Sequence, residues 1–345
     1  MTQFPDIIEN EDQLEELLSR PSAAVINLFK ILEGDLIFLG IAGKIGPSIA
    51  RMAKRACEEA GVTKRIIGVS RFSNEQEKNQ IESCGIETIR GDLLNPDFVK
   101  SLPQVKNVIF LAGMKFGSEG NLSMTWAMNT YVPALVAEHF KESRIVAFST
   151  GCVYPLTIIE SGGSTETDKP DAIGEYAQSC LGRERMFEYG STKFGTPVTL
   201  IRLNYSVEMR YGVLVDVASK VKNDRVVDLA MGYFNVIWQG DMNSMSLLSL
   251  KQCTTPPAII NLTGPETLSV RQVALEFGRL LGKTPKFRGE EAPTALLSNA
   301  GLSHRLFGEP TVSTTLLIQW IAHWINHENR LLNKQTHFEV RDGKY

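Results

Sequence analysis

The chain has 345 residues, 43% of them hydrophobic and 22% charged, enough for one large core or a core with a smaller lobe. A net charge of −3 and a pI near 6.0 give no electrostatic case for nucleic acid or an anionic membrane as partner. No apolar run approaches the roughly 18 residues that span a bilayer, the start lacks a secretory layout, and the five cysteines form no CxxC pair, so a cytoplasmic protein without disulfide frame or zinc knuckle is expected.

Residues 1–33 read as a helical N-terminal extension. Asn10-Glu11-Asp12 caps an acidic helix through Leu18, and Ser22 to Leu32 forms a second, apolar one. From Asp35 onward, short apolar runs alternate with longer amphipathic stretches. Leu36–Leu39, Arg65–Val69, Glu87–Ile89, Asn107–Leu111, Arg144–Phe148 and Val198–Leu203 read as strands. Between them, Ile45–Ala60, Glu75–Ser83, Ser123–Phe140 and Glu175–Tyr189 carry the helical period. This alternation predicts an α/β protein: a Rossmann-type doubly wound parallel sheet with a smaller C-terminal substrate lobe. The cofactor domain is expected at 34–205, with 235–265 returning to it, and the lobe at 206–234 and 266–330. There Val213–Val221 and Leu268–Leu281 read as helices, Asn235–Trp238 and Ala258–Leu262 as strands. The polar tail 331–345 is expected on the surface.

The first strand runs into Gly40-Ile41-Ala42-Gly43-Lys44-Ile45-Gly46. Gly40 permits a tight turn, Gly43 lets backbone approach a diphosphate, and Gly46 lets the next helix pack close, its N-terminus holding the anion. The second strand ends at Ser70-Arg71 where an acid would bond the adenosine ribose. A hydroxyl and a guanidinium suit a 2′-phosphate, so the cofactor is read as NAD(P) with NADP favoured; an ordinary solvated arginine is the alternative.

Further segments follow in order. Gly91-Asp92-Leu93 closes the third strand, and Ala112-Gly113-Met114-Lys115 closes the fourth. Asn129 lies on the next helix; Ser149-Thr150-Gly151-Cys152-Val153-Tyr154-Pro155 ends the fifth strand, and Tyr176 stands 26 residues after Thr150. Asn261-Leu262-Thr263-Gly264 and Leu268-Ser269-Val270-Arg271 come near the end. Together they resemble the extended short-chain dehydrogenase/reductase family, of the UDP-galactose 4-epimerase type, over residues 35–325. The resemblance implies that Asp92 and Leu93 meet the adenine, that Ala112, Lys115 and Asn129 flank the cofactor, and that Thr150 and Tyr176 are catalytic. It also implies a small carbohydrate substrate and a homodimer formed through Ser123–Phe140 and Glu175–Tyr189, with Leu181, Met186 and Phe187 as contacts.

One position departs from the family. Cys180 stands where a lysine would lower the tyrosine pKa and grip the nicotinamide ribose. A phenol titrates near 10, so at pH 7 only about one in a thousand is ionised, and losing that lysine forfeits roughly 4 kcal/mol of phenolate stabilisation. A thiol is never cationic. Arg183, nearly on the same helix face, is a candidate substitute; pairing with Glu184 or solvent is the plainer expectation. The stretch Arg202-Leu203-Asn204-Tyr205-Ser206-Val207-Glu208 lacks the family's Gly-Pro, which sets a UDP-sugar substrate in doubt. Asp241 reads as structural or substrate-facing, Met209-Arg210-Tyr211 as a surface turn or an anion contact. His323 and His327 have helical metal spacing without a third ligand, so no metal is expected. Cys152 as nucleophile lacks a visible base. Two functions follow: an NAD(P)-dependent oxidoreductase or epimerase acting on a sugar hydroxyl, or a catalytically silent NAD(P)-binding sensor.

Overall fold

The computed structural model describes residues 4–115 and 120–343, so the first three residues of the extension and the last two of the tail lie outside it. Helices α1 (Glu11–Leu18) and α2 (Ala23–Ile31) come first, capped by the Asn10 and Ser22 side chains. Strands and helices then alternate: β1 (Leu36–Leu39), α3 (Gly46–Ala60), β2 (Ile66–Ser70), α4 (Glu75–Ser83), β3 (Glu87–Arg90), α5 (Pro96–Ser101) and β4 (Asn107–Phe110). Next come α6 (Leu122–Trp126), a π turn (Ala127–Tyr131), α7 (Val132–His139), β5 (Arg144–Thr150), β6 (Thr157–Ile158), α8 (Gly174–Phe194) and β7 (Val198–Leu203). The later elements are β8 (Ser206–Val207), α9 (Val213–Lys222), β9 (Val226–Asp228), β10 (Tyr233–Phe234), β11 (Ile237–Trp238) and α10 (Gln239–Leu248). They continue with β12 (Ala258–Leu262), β13 (Leu268–Ser269), α11 (Val270–Leu281), β14 (Lys286–Arg288), β15 (Thr294–Ala295), α12 (Gly301–Phe307) and α13 (Thr314–Asn326).

Seven strands form one sheet in the order β12-β7-β5-β4-β1-β2-β3, every pair parallel. The doubly wound sheet expected from the alternation is therefore the observed one. All four residues of β1 and of β4 are buried, as strands covered on both faces must be. One face carries α2, α3 and α10 through Leu28, Ile49, Met52 and Met242; the other carries α7 and α8 through Val136, Phe140 and Phe187. A separate apolar cluster joins α9, α11 and α13 to α1 through Val217, Phe277, Trp320 and Leu17. The strand order reverses between β1 and β4, which opens a crevice at their carboxyl ends. Among the described residues, no helix is long and apolar enough to cross a membrane.

The predicted helix at Ser123–Phe140 is interrupted by the π turn, which rotates Asn129 into the interior. Helix α10 was not foreseen, because its residues are buried on nearly every side and show no apolar stripe. The tail is a correction. Thr336 and Phe338 are 2% and 1% exposed, because the polar groups of this segment find partners in the lobe and the cleft.

Helix α8 is fixed by a buried ion pair. Arg202 on β7 donates through Nε and Nη2 to both oxygens of Glu184, at 3.0 and 2.7 Å. Ser149 Oγ donates to the same carboxylate, and Arg202 Nη1 reaches Tyr154 Oη at 2.8 Å, which in turn donates to Asn261. Both charged side chains are almost wholly out of water. Glu184→Gln should cost about 3–5 kcal/mol by stranding the buried guanidinium, read as a lower urea midpoint at unchanged slope. A Glu184→Leu/Arg202→Met pair should recover most of that loss.

Candidate active site

The glycine turn shows why its residues are glycines. Gly40 lies at φ +93°, and a Cβ there would sit 2.7 Å from the Ala112 amide nitrogen at the end of β4. At Gly46 a Cβ would stand 2.0 Å from the Ile41 carbonyl oxygen, so helix α3 can abut β1 only without a side chain. The side chain of Ile41 in turn fills the space over Gly68 on β2. Gly43 closes the turn, its N–H donating to the Gly40 carbonyl at 3.1 Å. Helix α3 begins without a side-chain cap. Backbone held this close to the strand ends is the cradle a dinucleotide diphosphate requires.

The other strand-end residues frame the same crevice. Ser70 ends β2 partly buried, Arg71 is exposed, and the following Phe72 turns into the core at φ +45°. Asp92 accepts from the Leu94 N–H at 3.0 Å, and Leu93 is buried beneath it. Ala112 is buried against Gly40. Lys115 donates to the Thr336 carbonyl at 3.1 Å, and its ammonium lies 5.8 Å from the Tyr176 ring centre.

Asn129 is buried, and its amide donates to the Met114 carbonyl and to Ser179 Oγ while its oxygen accepts from the Met114 N–H and from Arg183 Nη2. All four positions of the amide are used within the protein, which ties the β4 loop to α8.

Thr150 and Tyr176 occupy adjoining elements. Thr150 ends β5, its hydroxyl accepting from the Cys152 N–H at 3.2 Å. The one-turn helix that follows packs on α8, where Val153, Tyr154 and the fully buried Cys180 form an apolar cluster against Tyr176. The Tyr176 side chain packs beside the Cys180 thiol. Burial pushes the phenol well above its ordinary value, and the neighbouring thiols of Cys180 and Cys152 add to this, while Arg183 opposes it. Burial likewise raises the Cys180 thiol.

Arg183 pairs with neither Glu184 nor solvent. It is 7% exposed and donates to the Phe148 carbonyl at 2.8 Å and to Asn129 at 2.7 Å. Glu184 is instead taken by Arg202. The guanidinium occupies the space a side chain at Gly113 would need, since a Cβ there would lie 2.5 Å from Nη2. The Arg183 charge favours the Tyr176 anion.

Lys44 joins these residues without having been singled out. Lys44, within the glycine turn, has its ammonium 3.1 Å from the centre of the Tyr211 ring. Burial, then the charges of Lys115 and Lys334, lowers Lys44 to about 6. A lysine inside a glycine turn was a readable signal. Met209 is buried and Arg210 bonds Glu208, Glu11 and Glu15, so this stretch is no surface turn. Asp241 accepts from the Thr311 N–H and hydroxyl and from the Val312 N–H, which makes it structural. His323 and His327 stack on each other near the end of α13, away from the crevice. Cys152 packs with Leu156, Ile159 and Tyr205 in a small apolar cluster.

No protein-family model matches the chain, and no curated protein matches it in sequence. Solved structures do match it in shape. The dTDP-glucose 4,6-dehydratase of Streptomyces venezuelae, solved with NAD and TYD bound, superposes with a TM-score of 0.72 at 16% identity, over 85% of this chain and 97% of that one. The UDP-glucuronic acid 4-epimerase of Bacillus cereus, in complex with UDP-glucuronic acid and NAD, gives 0.70 at 18%, over 85% and 99%. The UDP-glucose 4-epimerase of Thermotoga maritima, with UDP-glucose, gives 0.69 at 16%, over 85% and 99%. Likeness at this identity speaks for the fold, and this chain shares the fold of these epimerases and this dehydratase.

Proposed function

We propose that this chain is an NAD(P)-dependent oxidoreductase or epimerase acting on a hydroxyl of a sugar-like substrate. The observation that supports it most is the glycine turn, where Gly40 and Gly46 clear backbone for a diphosphate in the same crevice that Thr150 and Tyr176 border. We assign 34–205 and 235–265 to cofactor binding and the segments 206–234 and 266–330 to the substrate side.

In this reading Gly40, Gly43, Gly46 and Lys44 hold the diphosphate, Ser70 and Arg71 the adenosine ribose, and Asp92 and Leu93 the adenine. A bound nicotinamide ring supplies the hydride acceptor. Thr150 orients the substrate hydroxyl, and Tyr176 Oη takes its proton. Arg183 stands in for the absent lysine as the buried charge that offsets part of the cost of a phenolate. Tyr176→Phe should lower turnover by about a hundredfold or more, and wild-type activity should rise only at alkaline pH, because burial outweighs Arg183. Cofactor consumption and product formation measured across a panel of sugars and polyols check this.

A second reading, a silent NAD(P)-binding protein, is favoured by the full burial of Cys180, which leaves no lysine equivalent at that position. It is the outcome if both cofactors bind and no substrate turns over at any pH.

Calorimetric titration with NAD and NADP tests the cofactor assignment. Arg71→Ala should weaken NADP by a further 1.5–3 kcal/mol, roughly, relative to NAD. Above about pH 6 Lys44 is mostly neutral, so a diphosphate seated beside it should draw in a proton. The binding heat should then depend on the buffer's ionisation heat, and Lys44→Met should remove that dependence.

The chain is proposed to pair as a homodimer through α6, the π turn and α8. Leu122, Met124, Trp126 and Tyr131 expose large apolar surfaces there, as does Tyr189. Phe187, expected at that contact, instead stacks edge-on with Phe110 inside the core. Light scattering at twice the 38.3 kDa chain mass would support the pairing.

A further inference from the structure

Residues 330–343 follow α13 and link the lobe to the end of β4 and the start of α8. The Leu332 N–H donates to the Arg210 carbonyl at 3.0 Å, and Thr336 donates through N–H and hydroxyl to Asp216 on α9 at 2.8 and 2.6 Å. On the cofactor side, the Thr336 carbonyl receives Lys115 from the end of β4. Phe338 inserts into the lobe against Phe234, and Glu339 pairs with Lys220 at 2.9 Å. Arg341 donates to the Ala230 carbonyl and to the carbonyl and hydroxyl of Thr294. The run ends at Gly343, packed backbone to backbone on Ile173 and Gly174, two residues before Tyr176. A Cβ on Gly174 would lie 2.4 Å from the Gly343 carbonyl oxygen, and one on Gly343 2.3 Å from that of Ile173.

We infer that residues 330–343 form a fixed wall of the reactive crevice, and that the substrate is a free sugar or polyol too small to carry a nucleotide. Ligands of parallel α/β sheets enter the crevice beyond the strand carboxyl ends, and this segment bridges that crevice from the lobe to the start of α8. A nucleotide-sized group leaving the site on that side would have to displace Phe338, Thr336 and Arg341 together. The buried anchors mark a permanent part of the fold, in contrast to a lid that opens for each turnover. Arg341, Thr336 and Phe338 thereby set substrate size without touching the reacting atoms. The inference rests on the hydride-transfer reading for what the crevice does.

The test uses the full chain with UDP and UDP-glucose as probes, titrated with and without NAD or NADP, alongside hydrogen exchange of 330–343. The wild type should bind neither probe, and the amides of Leu332 and Thr336 should stay protected when UDP-glucose is added. Phe338→Ala/Arg341→Ala should gain UDP-glucose binding by roughly tenfold or more. Should that variant fail to fold, the wild-type titration and exchange decide. UDP-glucose binding to the wild type overturns the wall, whether or not the segment loses protection. The two failures are separable: a chain that binds neither NAD nor NADP overturns the underlying reading, whereas one that binds cofactor and UDP-glucose overturns the wall alone.

Discussion

A carboxylate and a guanidinium with almost no water around them hold this molecule's reactive face in place. Glu184 and Arg202 could not both be buried unless each satisfied the other, and Ser149, Tyr154 and Asn261 complete the set. The pair locks α8 to β5, β7 and the turn after Thr150. Because Tyr176, Cys180 and Arg183 all ride on α8, their positions relative to the strand ends follow from this lock. The helix has little freedom to rotate, so the chemistry of its inner face is set by which side chains lie there.

That inner face is largely withdrawn from water, with Cys180 and Arg183 buried and Tyr176 partly so, and this decides its electrostatics. Removing water raises the phenol of Tyr176 and the thiol of Cys180 alike, since both would become anions. Arg183 works against this from a site fixed by Asn129 and the Phe148 carbonyl, with Gly113 leaving room for the guanidinium. Arg183 thus brings a buried cation to this side of α8, held by an asparagine whose bonding is fully committed. The same dryness brings Lys44 down to about 6, so the glycine turn contains an amine whose protonation answers to an approaching anion.

The segment 330–343 changes the crevice from an open groove into a bounded one. Its composition is polar, yet Asp216, Lys115, Lys220 and the Thr294 and Ala230 backbone meet its polar groups one by one. Phe338 supplies the apolar plug. In the proposed reading this segment sets the size of the substrate.

Much of this was legible in one dimension. Short apolar runs and the 3.6 period placed β1, β7, β12, α3, α4 and α9 to within a residue or two, because the central strands are covered on both faces and the helices bury one side. The glycines of the cofactor turn were readable because steric demand at Gly40 and Gly46 permits no other residue. Helix α10 escaped because burial on nearly all sides erases periodicity, and residues 330–343 because polar composition ordinarily means solvent. The partner of Arg183 was undecidable in sequence: Glu184 is its neighbour in the chain, yet Arg202 claims that carboxylate from β7. The sequence by itself determined the sheet and the glycine turn, both written in local pattern and steric need. Only the tertiary structure decided which cation faces Tyr176 and what closes the crevice, since both depend on residues brought together from distant parts of the chain and on the water their packing excludes.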